Sequence, residues 1–525
     1  MRSPDFSAAL ARPQVAGVLV ALALAVLAVL TRLPQFLSPY LALDGDEAVV
    51  GLMAEHLRNG GEFSLFFWGQ RYGIAAPEAA LIASFFAGFG TSTVALKAAM
   101  LAFWVVAGGV VALSVRSFAG GRAALIAATF LILCPAWMEW ALQARGGYHL
   151  AFLFAHAAVW LIAVVSGRSG PERVRLVVLG VALALVFFGQ PLWIPPLVPF
   201  LILLGYSRRR LVDFAFVGVG GAAAGLLIRA FGSGVDYWSP PVPSALDLMH
   251  GILDLPRRVW IHFTGFYYYD AVIPPPLFTK IAAGLWCGLL LAAVGAPFVV
   301  RGRHRPVLAA CAAAVATSLA LATVSTGAGF MPRYLLPLAG FVVTSQAIVI
   351  ADFWRRGGGA RRLASLVVAL VVLAGAGAAP EFGTVSLASP PRERPVAEEA
   401  AIRALIDELT RRGVRHVYTL DPTLQWILTF QSGERIICRW RDPRDRYPAY
   451  PQAVDVALLA GKPVALVGDV AEAAAMRRVL PRVGAADLSL LTIADRYFAI
   501  LDPSPGLLRG LGFRINGLTP NDEAR

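Results

Sequence analysis

Asp44-Gly45-Asp46-Glu47 puts three carboxylates into four residues. A long apolar run ends just before it, and Val49, Val50, Met53 and Leu57 follow at helical spacing. The pattern predicts a short helix lying along a membrane surface, with its acids at the N-terminal end. Three like charges this close repel one another and are costly near a bilayer, so they call for a cation, an arginine or a catalytic reason. A positioned carboxylate can take the proton of an attacking hydroxyl. The plainer account is capping, with Asp44 or Asp46 accepting from backbone N–H groups and Glu47 favouring the positive helix end. Capping is the better account of one acid, and function of all three together.

Cations recur on the side where these acids are expected. Arg145 opens Arg145-Gly146-Gly147-Tyr148-His149, where the glycines permit close backbone approach. Arg333 opens Arg333-Tyr334-Leu335-Leu336-Pro337. Either guanidinium could bind a phosphate; for Arg145, interfacial snorkelling weighs evenly against that. Arg257 and Arg258 read better as headgroup anchors than as phosphate ligands. Tyr267, Tyr268 and Tyr269 with Asp270 could stack on a sugar, although an interfacial aromatic belt explains them more simply. His149 and His262 could ligate a divalent metal cation, but two scattered histidines lack ligand spacing, so no metal ligand is assigned.

The elements that must position these groups follow from composition. Of 525 residues, 58% are hydrophobic and 15% charged, against about 25% charged in soluble domains. That excludes an ordinary soluble enzyme. A span needs about 20 mostly apolar residues, and eleven segments approach this: 14–31, 93–115, 122–140, 148–166, 174–190, 191–206, 210–230, 278–300, 306–326, 334–352 and 363–380. The shortest pair meets at Gln190-Pro191. The net charge of +13 is topological and offers no case for nucleic acid. Arg116 and Arg122, Arg168 to Arg175, Arg208 to Arg210, Arg301 to Arg305 and Arg355 to Arg362 fall in every second loop, which makes those loops cytoplasmic. The alternate loops, 32–92, 141–147, 231–277 and 327–333, then face outside, with 78–90 held at the interface. Run 14–31 lacks a cleavage site and reads as an uncleaved first span. Residues 381–525 return to soluble composition. Strand and helix signals alternate there and close on a hairpin near 487–502, which predicts a second, extracytoplasmic α/β domain beside the membrane domain 1–380. Its most distinctive polar stretch, Arg444-Asp445-Arg446-Tyr447-Pro448, reads as a solvated loop. Four cysteines without CxxC spacing suggest neither a disulfide framework nor structural zinc.

Asp46-Glu47 after the first span, the Arg116-to-Arg122 turn after the second and Arg333-Tyr334-Leu335-Leu336-Pro337 at a late span, in this order and topology, resemble the GT-C glycosyltransferases. The branch they look most like is the protein O-mannosyltransferase and aminoarabinose-transferase group, which uses polyprenyl-phosphate sugars. The resemblance covers about residues 1–380. It departs at Arg71-Tyr72-Gly73-Ile74-Ala75-Ala76-Pro77-Glu78, where that group often carries a Lys-Pro-Pro-type stretch. It implies a polytopic α-helical enzyme of the bacterial cytoplasmic membrane, moving a sugar from a polyprenyl-phosphate donor to an extracytoplasmic glycan, lipid or protein. Asp46 is the base it implies, with Glu47 orienting it or the acceptor; spacing alone leaves Asp44 open as the base. Arg145, Arg333, Tyr334, Tyr148, Arg71, Arg258 and His149 are the candidate substrate-binding residues. A divalent cation is used by some members. The competing classes are a transporter or flippase of lipid-linked sugars, against which stand the missing repeat symmetry and the few charges inside spans, and a non-catalytic scaffold, which leaves the carboxylates unexplained.

Overall fold

The computed structural model describes residues 13–167, 172–208, 211–231, 244–267, 272–324, 331–385, 395–441, 445–483 and 488–515. Helices in chain order are α1 (Pro13–Phe36), α2 (Gly45–Arg58), α3 (Ala76–Phe89), α4 (Thr93–Ala119), α5 (Gly121–Ile132), α6 (Pro135–Trp140), α7 (Tyr148–Ser166), α8 (Arg173–Gly189), α9 (Val198–Arg208), α10 (Leu211–Ala230), α11 (Ala245–Thr264), α12 (Leu277–Val299), α13 (Arg305–Val324), α14 (Leu336–Arg356) and α15 (Gly358–Ala378). Among the described residues, eight are long and apolar enough to cross a membrane: α1, α4, α7, α10, α12, α13, α14 and α15.

The other three expected spans form helix but fall short of that length. Segment 122–140 breaks into α5 and α6 at Cys134-Pro135, because proline lacks the N–H and biases the residue before it away from helix. The buried Arg32 of α1 mends this break. It donates to the carbonyl of Ile132 (2.7 Å) on one side of the break and to that of Trp137 (3.1 Å) on the other, and lies 4.6 Å from the Trp104 ring centroid. Segment 174–190 is the 17-residue α8. Segment 191–206 places three of its four prolines in two 3₁₀ turns and the fourth, Pro199, in the first turn of the 11-residue α9. Helices α8 and α10 approach closely through glycine. A Cβ at Gly180 would strike the Val217 carbonyl, and one at Gly220 the carbonyl of Val177.

The rest of the chain builds α16 (Glu398–Arg411), β1 (His416–Thr419), α17 (Leu424–Gln431), β2 (Ile437–Arg439), α18 (Ala449–Leu459), β3 (Val464–Asp469), α19 (Val470–Val479), β4 (Leu491–Ile493), β5 (Tyr497–Leu501) and α20 (Pro505–Gly510). The sheet order is β2-β1-β3-β5-β4, with β1 parallel to both neighbours and β4–β5 an antiparallel hairpin. Val464 to Val467 of central β3 are buried at every position, as a strand covered on both faces requires. This sheet does not stand apart from the first loop. Ala48, Val49 and Val50 of α2 share one core with Leu424, Ile427 and Phe430 of α17 and with Val417 and Ala465 of the sheet. A Cβ at Gly51 would lie 2.6 Å from the Phe430 ring, so a glycine is needed for this approach. The acidic helix is therefore gripped between the spans and the C-terminal unit.

Candidate active site at the Asp46 carboxylate

The three carboxylates at the start of helix α2 take different partners. Asp44 is the N-cap: its Oδ1 accepts from the Glu47 N–H (2.9 Å), and Glu47 Oε2 accepts from the Asp44 N–H (3.1 Å), a complete capping box. Glu47 turns inward and meets Lys97 Nζ of α4 at 2.8 and 3.0 Å, with both side chains buried. Glu47 is thus a structural anchor. Asp46 is left facing a cluster of cations.

Arg145 Nη1 donates to Asp46 Oδ2 at 3.0 Å, and Arg446 Nη1 to Asp46 Oδ1 at 3.0 Å. Arg145 also pairs with Asp44. Arg333 acts on Asp46 through space. Burial alone would raise the Asp46 pKa, but Arg145, Arg446 and Arg333 together hold it below the ordinary carboxylate range. Asp44 goes the other way. Burial, despite Arg145, pushes it up to about 6.

The loop carrying Arg145 is held by a carboxylate from α3. Gly146 (φ +58°) and Gly147 (φ +90°) turn their N–H groups onto Glu78, at 3.0 Å each. A Cβ at Gly147 would sit 2.8 Å from the Gly73 Cα, so a side chain there would force the two loops apart. Burial pushes the Glu78 carboxyl up to about 7, against the pull of these hydrogen bonds.

Arg333 sits on a 3₁₀ turn, Pro332–Leu335, and its Nε donates to the Tyr148 hydroxyl at 3.0 Å. It lies 5.9 Å from the Tyr148 ring centroid and 5.8 Å from that of Tyr334. His262 of α11 contacts the Pro332 carbonyl at 3.2 Å and steadies this turn. Tyr72 lies in the field of Asp46, Arg333, Arg446 and Tyr334, with its pKa raised first by burial. Asp46, Arg145, Arg333, Tyr148 and Tyr334 therefore come together from separate stretches of chain.

Other sequence candidates lie elsewhere. Arg258 donates to Asp254 (2.9 Å) and to the Ala322 carbonyl (2.7 Å), tying α11 to α13. His149 is buried against the rings of Phe103 and Trp137, at 6.0 and 5.9 Å between centroids. Arg71 is exposed beside Tyr72. Tyr267 packs 6.0 Å from Trp140, while Tyr268, Tyr269, Asp270 and Arg444 lie outside the described residues. The donors do not fit a divalent cation. Asp44 and Asp46 are neutralised by guanidinium groups, and no cluster of three or more His, Cys, Asp or Glu able to hold a metal occurs among the described residues.

Three site residues escape a reading of the sequence. Arg446, in the stretch read as a solvated loop, instead reaches Asp46 across 400 residues and lies 4.7 Å from the Phe67 ring centroid. In the sequence Lys97 is only a lysine near the start of an apolar segment, and Glu78 only an acid beside a proline.

No family model matches this sequence, and no curated protein matches it. Solved structures do. ArnT from Cupriavidus metallidurans bound to undecaprenyl phosphate superposes with a TM-score of 0.60 at 13% identity, covering 93% of this chain and 98% of that one. The apo form of the same protein gives 0.57 at 12% identity, covering 94% and 98%. The apo Archaeoglobus fulgidus oligosaccharyltransferase gives 0.52 at 12% identity, covering 87% and 70%. At these identities the likeness is one of fold.

Proposed function

From a chain that has the fold of the GT-C membrane glycosyltransferases, we propose a membrane enzyme that moves a sugar from a polyprenyl-phosphate carrier to an acceptor hydroxyl or amine. The observation that carries this reading is the ionised Asp46 enclosed by Arg145, Arg446 and Arg333. In a lipid-phosphate sugar the phosphate is already the leaving group. The acceptor attacks the anomeric carbon, the bond from that carbon to the phosphate oxygen breaks, and the acceptor proton must go to a base. Asp46 takes it. The freed phosphate gains negative charge, which guanidinium groups already in place stabilise without reorganising.

A carboxylate held below its usual range is a poor base, and the same arginines supply the remedy. A donor phosphate competes with Asp46 for Arg145 and Arg446. As they turn to it, the field that depresses Asp46 weakens and its basicity rises. The base then becomes effective only with donor bound. The arginine-rich loops at the far end of the spans support an extracytoplasmic position for this site, and the membrane in this reading is the bacterial cytoplasmic membrane. The C-terminal unit, which brings Arg446, belongs to the catalytic assembly in this reading.

Purified full-length protein given synthetic polyprenyl-phosphate sugars and an acceptor is expected to release polyprenyl phosphate. Movement of intact lipid-linked sugar across a vesicle with no bond cleaved would replace this reading by a flippase. Glu78→Gln tests the Arg145 cradle. Glutamine keeps one acceptor oxygen, so one of the Gly146 and Gly147 N–H groups loses its partner, a loss of about 1–3 kcal/mol. Turnover is expected to fall about tenfold while the fold is retained. Unchanged steady-state rates would detach Glu78 from the chemistry.

A further inference from the structure

A sizeable apolar cavity lies away from Asp46. It is a groove of about 660 Å³ between α1, α4 and α5, running from Trp104 to Arg116 and Arg122. On α4, Lys97 marks the Asp46 end and Arg116 stands nineteen residues further on. At 1.5 Å per residue that is roughly 28 Å, about the thickness of a hydrocarbon core. The two arginines therefore mark the opposite membrane face. From Arg116 to Trp104 the groove is roughly 18 Å deep by the same rise, close to the depth of one leaflet at about 15 Å.

We propose that this groove binds one anionic glycerophospholipid of the leaflet opposite the Asp46 site, with an acyl chain between α1, α4 and α5 and its phosphate on Arg116 and Arg122. Charge complementarity selects this occupant. Both arginines are exposed, and neither has a carboxylate partner among the described residues. A groove that is apolar for one leaflet and cationic at its mouth matches a lipid with one phosphate, and arginines at a membrane surface attract anionic headgroups. The glycines on its walls serve no packing inside the protein. A Cβ added at Gly17 or Gly109 meets nothing within 4 Å, and one at Gly108 meets only Leu131 at an ordinary 3.6 Å. They keep the groove open. The site is independent of the glycosyltransferase reading.

Native mass spectrometry of the detergent-purified full chain, titrated with phosphatidylglycerol or phosphatidylcholine, tests this. Wild type is expected to bind one phosphatidylglycerol about tenfold more tightly than phosphatidylcholine. Arg116→Gln with Arg122→Gln is expected to abolish the preference. Gly109→Leu fills the groove where there is free space, so it is expected to weaken both lipids with no change in melting temperature. Equal affinity for the two lipids in wild type, a preference that survives the double substitution, or binding unaffected by Gly109→Leu would each overturn the assignment. So would recovery of polyprenyl phosphate, or of a second copy of the chain, in place of the phospholipid.

Discussion

Asp46→Asn is expected to lower kcat by about 10²–10⁴-fold, the range general-base catalysis supplies, and to lower the KM for the lipid-phosphate donor as well. Removing the anion leaves Arg145, Arg446 and Arg333 without the charge they surround, so a donor phosphate meets three under-compensated guanidinium groups. Binding tightens while chemistry fails. A purely structural role for Asp46 would weaken both. Single-turnover kinetics with synthetic donor separate the two outcomes, and an Asp46→Asn enzyme with donor KM raised and kcat intact would end the assignment. Acidity adds a second check. Asp46 is held below the ordinary carboxylate range and stays ionised under mildly acid conditions, but Asp44 sits near 6. As pH falls through about 6, Asp44 takes a proton and loosens its hold on Arg145, so kcat/KM is expected to decline there, and Asp44→Asn to remove that limb. The stability contribution of Asp44 runs the other way. Its folded pKa is raised from 3.8 to about 6, so the folded state binds the extra proton and loses stability as pH rises through that window.

What the sequence made legible and what it hid divide along physical lines. Continuous apolar runs gave the long spans, because hydrophobic length alone decides whether a helix can cross. Alternating strand and helix signals gave the C-terminal sheet and its β4–β5 hairpin. Helix α11 was hidden inside a loop. Its exposed Leu246, Met249, Ile252 and Leu253 recur at helical intervals among charges, a pattern that a search for unbroken apolar runs passes over. Arg145 and Arg333 stood out because each opens an apolar stretch on the same expected face as Asp46. Arg446 did not. Its role depends on α17 packing against α2, and nothing local to residue 446 records a contact 400 positions away. The acidic tripling was legible as a cluster. Its division into a cap, a carboxylate facing arginines and a buried anchor appears only once Lys97 is seen behind α2.

That anchor carries the second large effect, this time on stability. Lys97→Met is expected to destabilise the protein by about 3–5 kcal/mol, because it leaves the Glu47 carboxylate buried without its countercharge. Adding Glu47→Gln should restore most of the loss. Glutamine at this position still accepts from the Asp44 N–H and so preserves the capping box, while the buried charge is gone. Glu139, also within electrostatic reach of Lys97, keeps donors of its own in Gln35 (3.1 Å) and Gln143 (2.9 Å), so it does not become a second orphan. Thermal melting in one detergent, together with yields of folded protein, compares the single and double variants. If the double variant melts no higher than Lys97→Met, the pair acts through shape and the electrostatic account of α2 fails. If it melts near wild type, activity becomes informative. Glu47 takes no part in the chemistry proposed for Asp46, so the double variant, once folded, should recover turnover as its helix returns to Arg145 and Arg446.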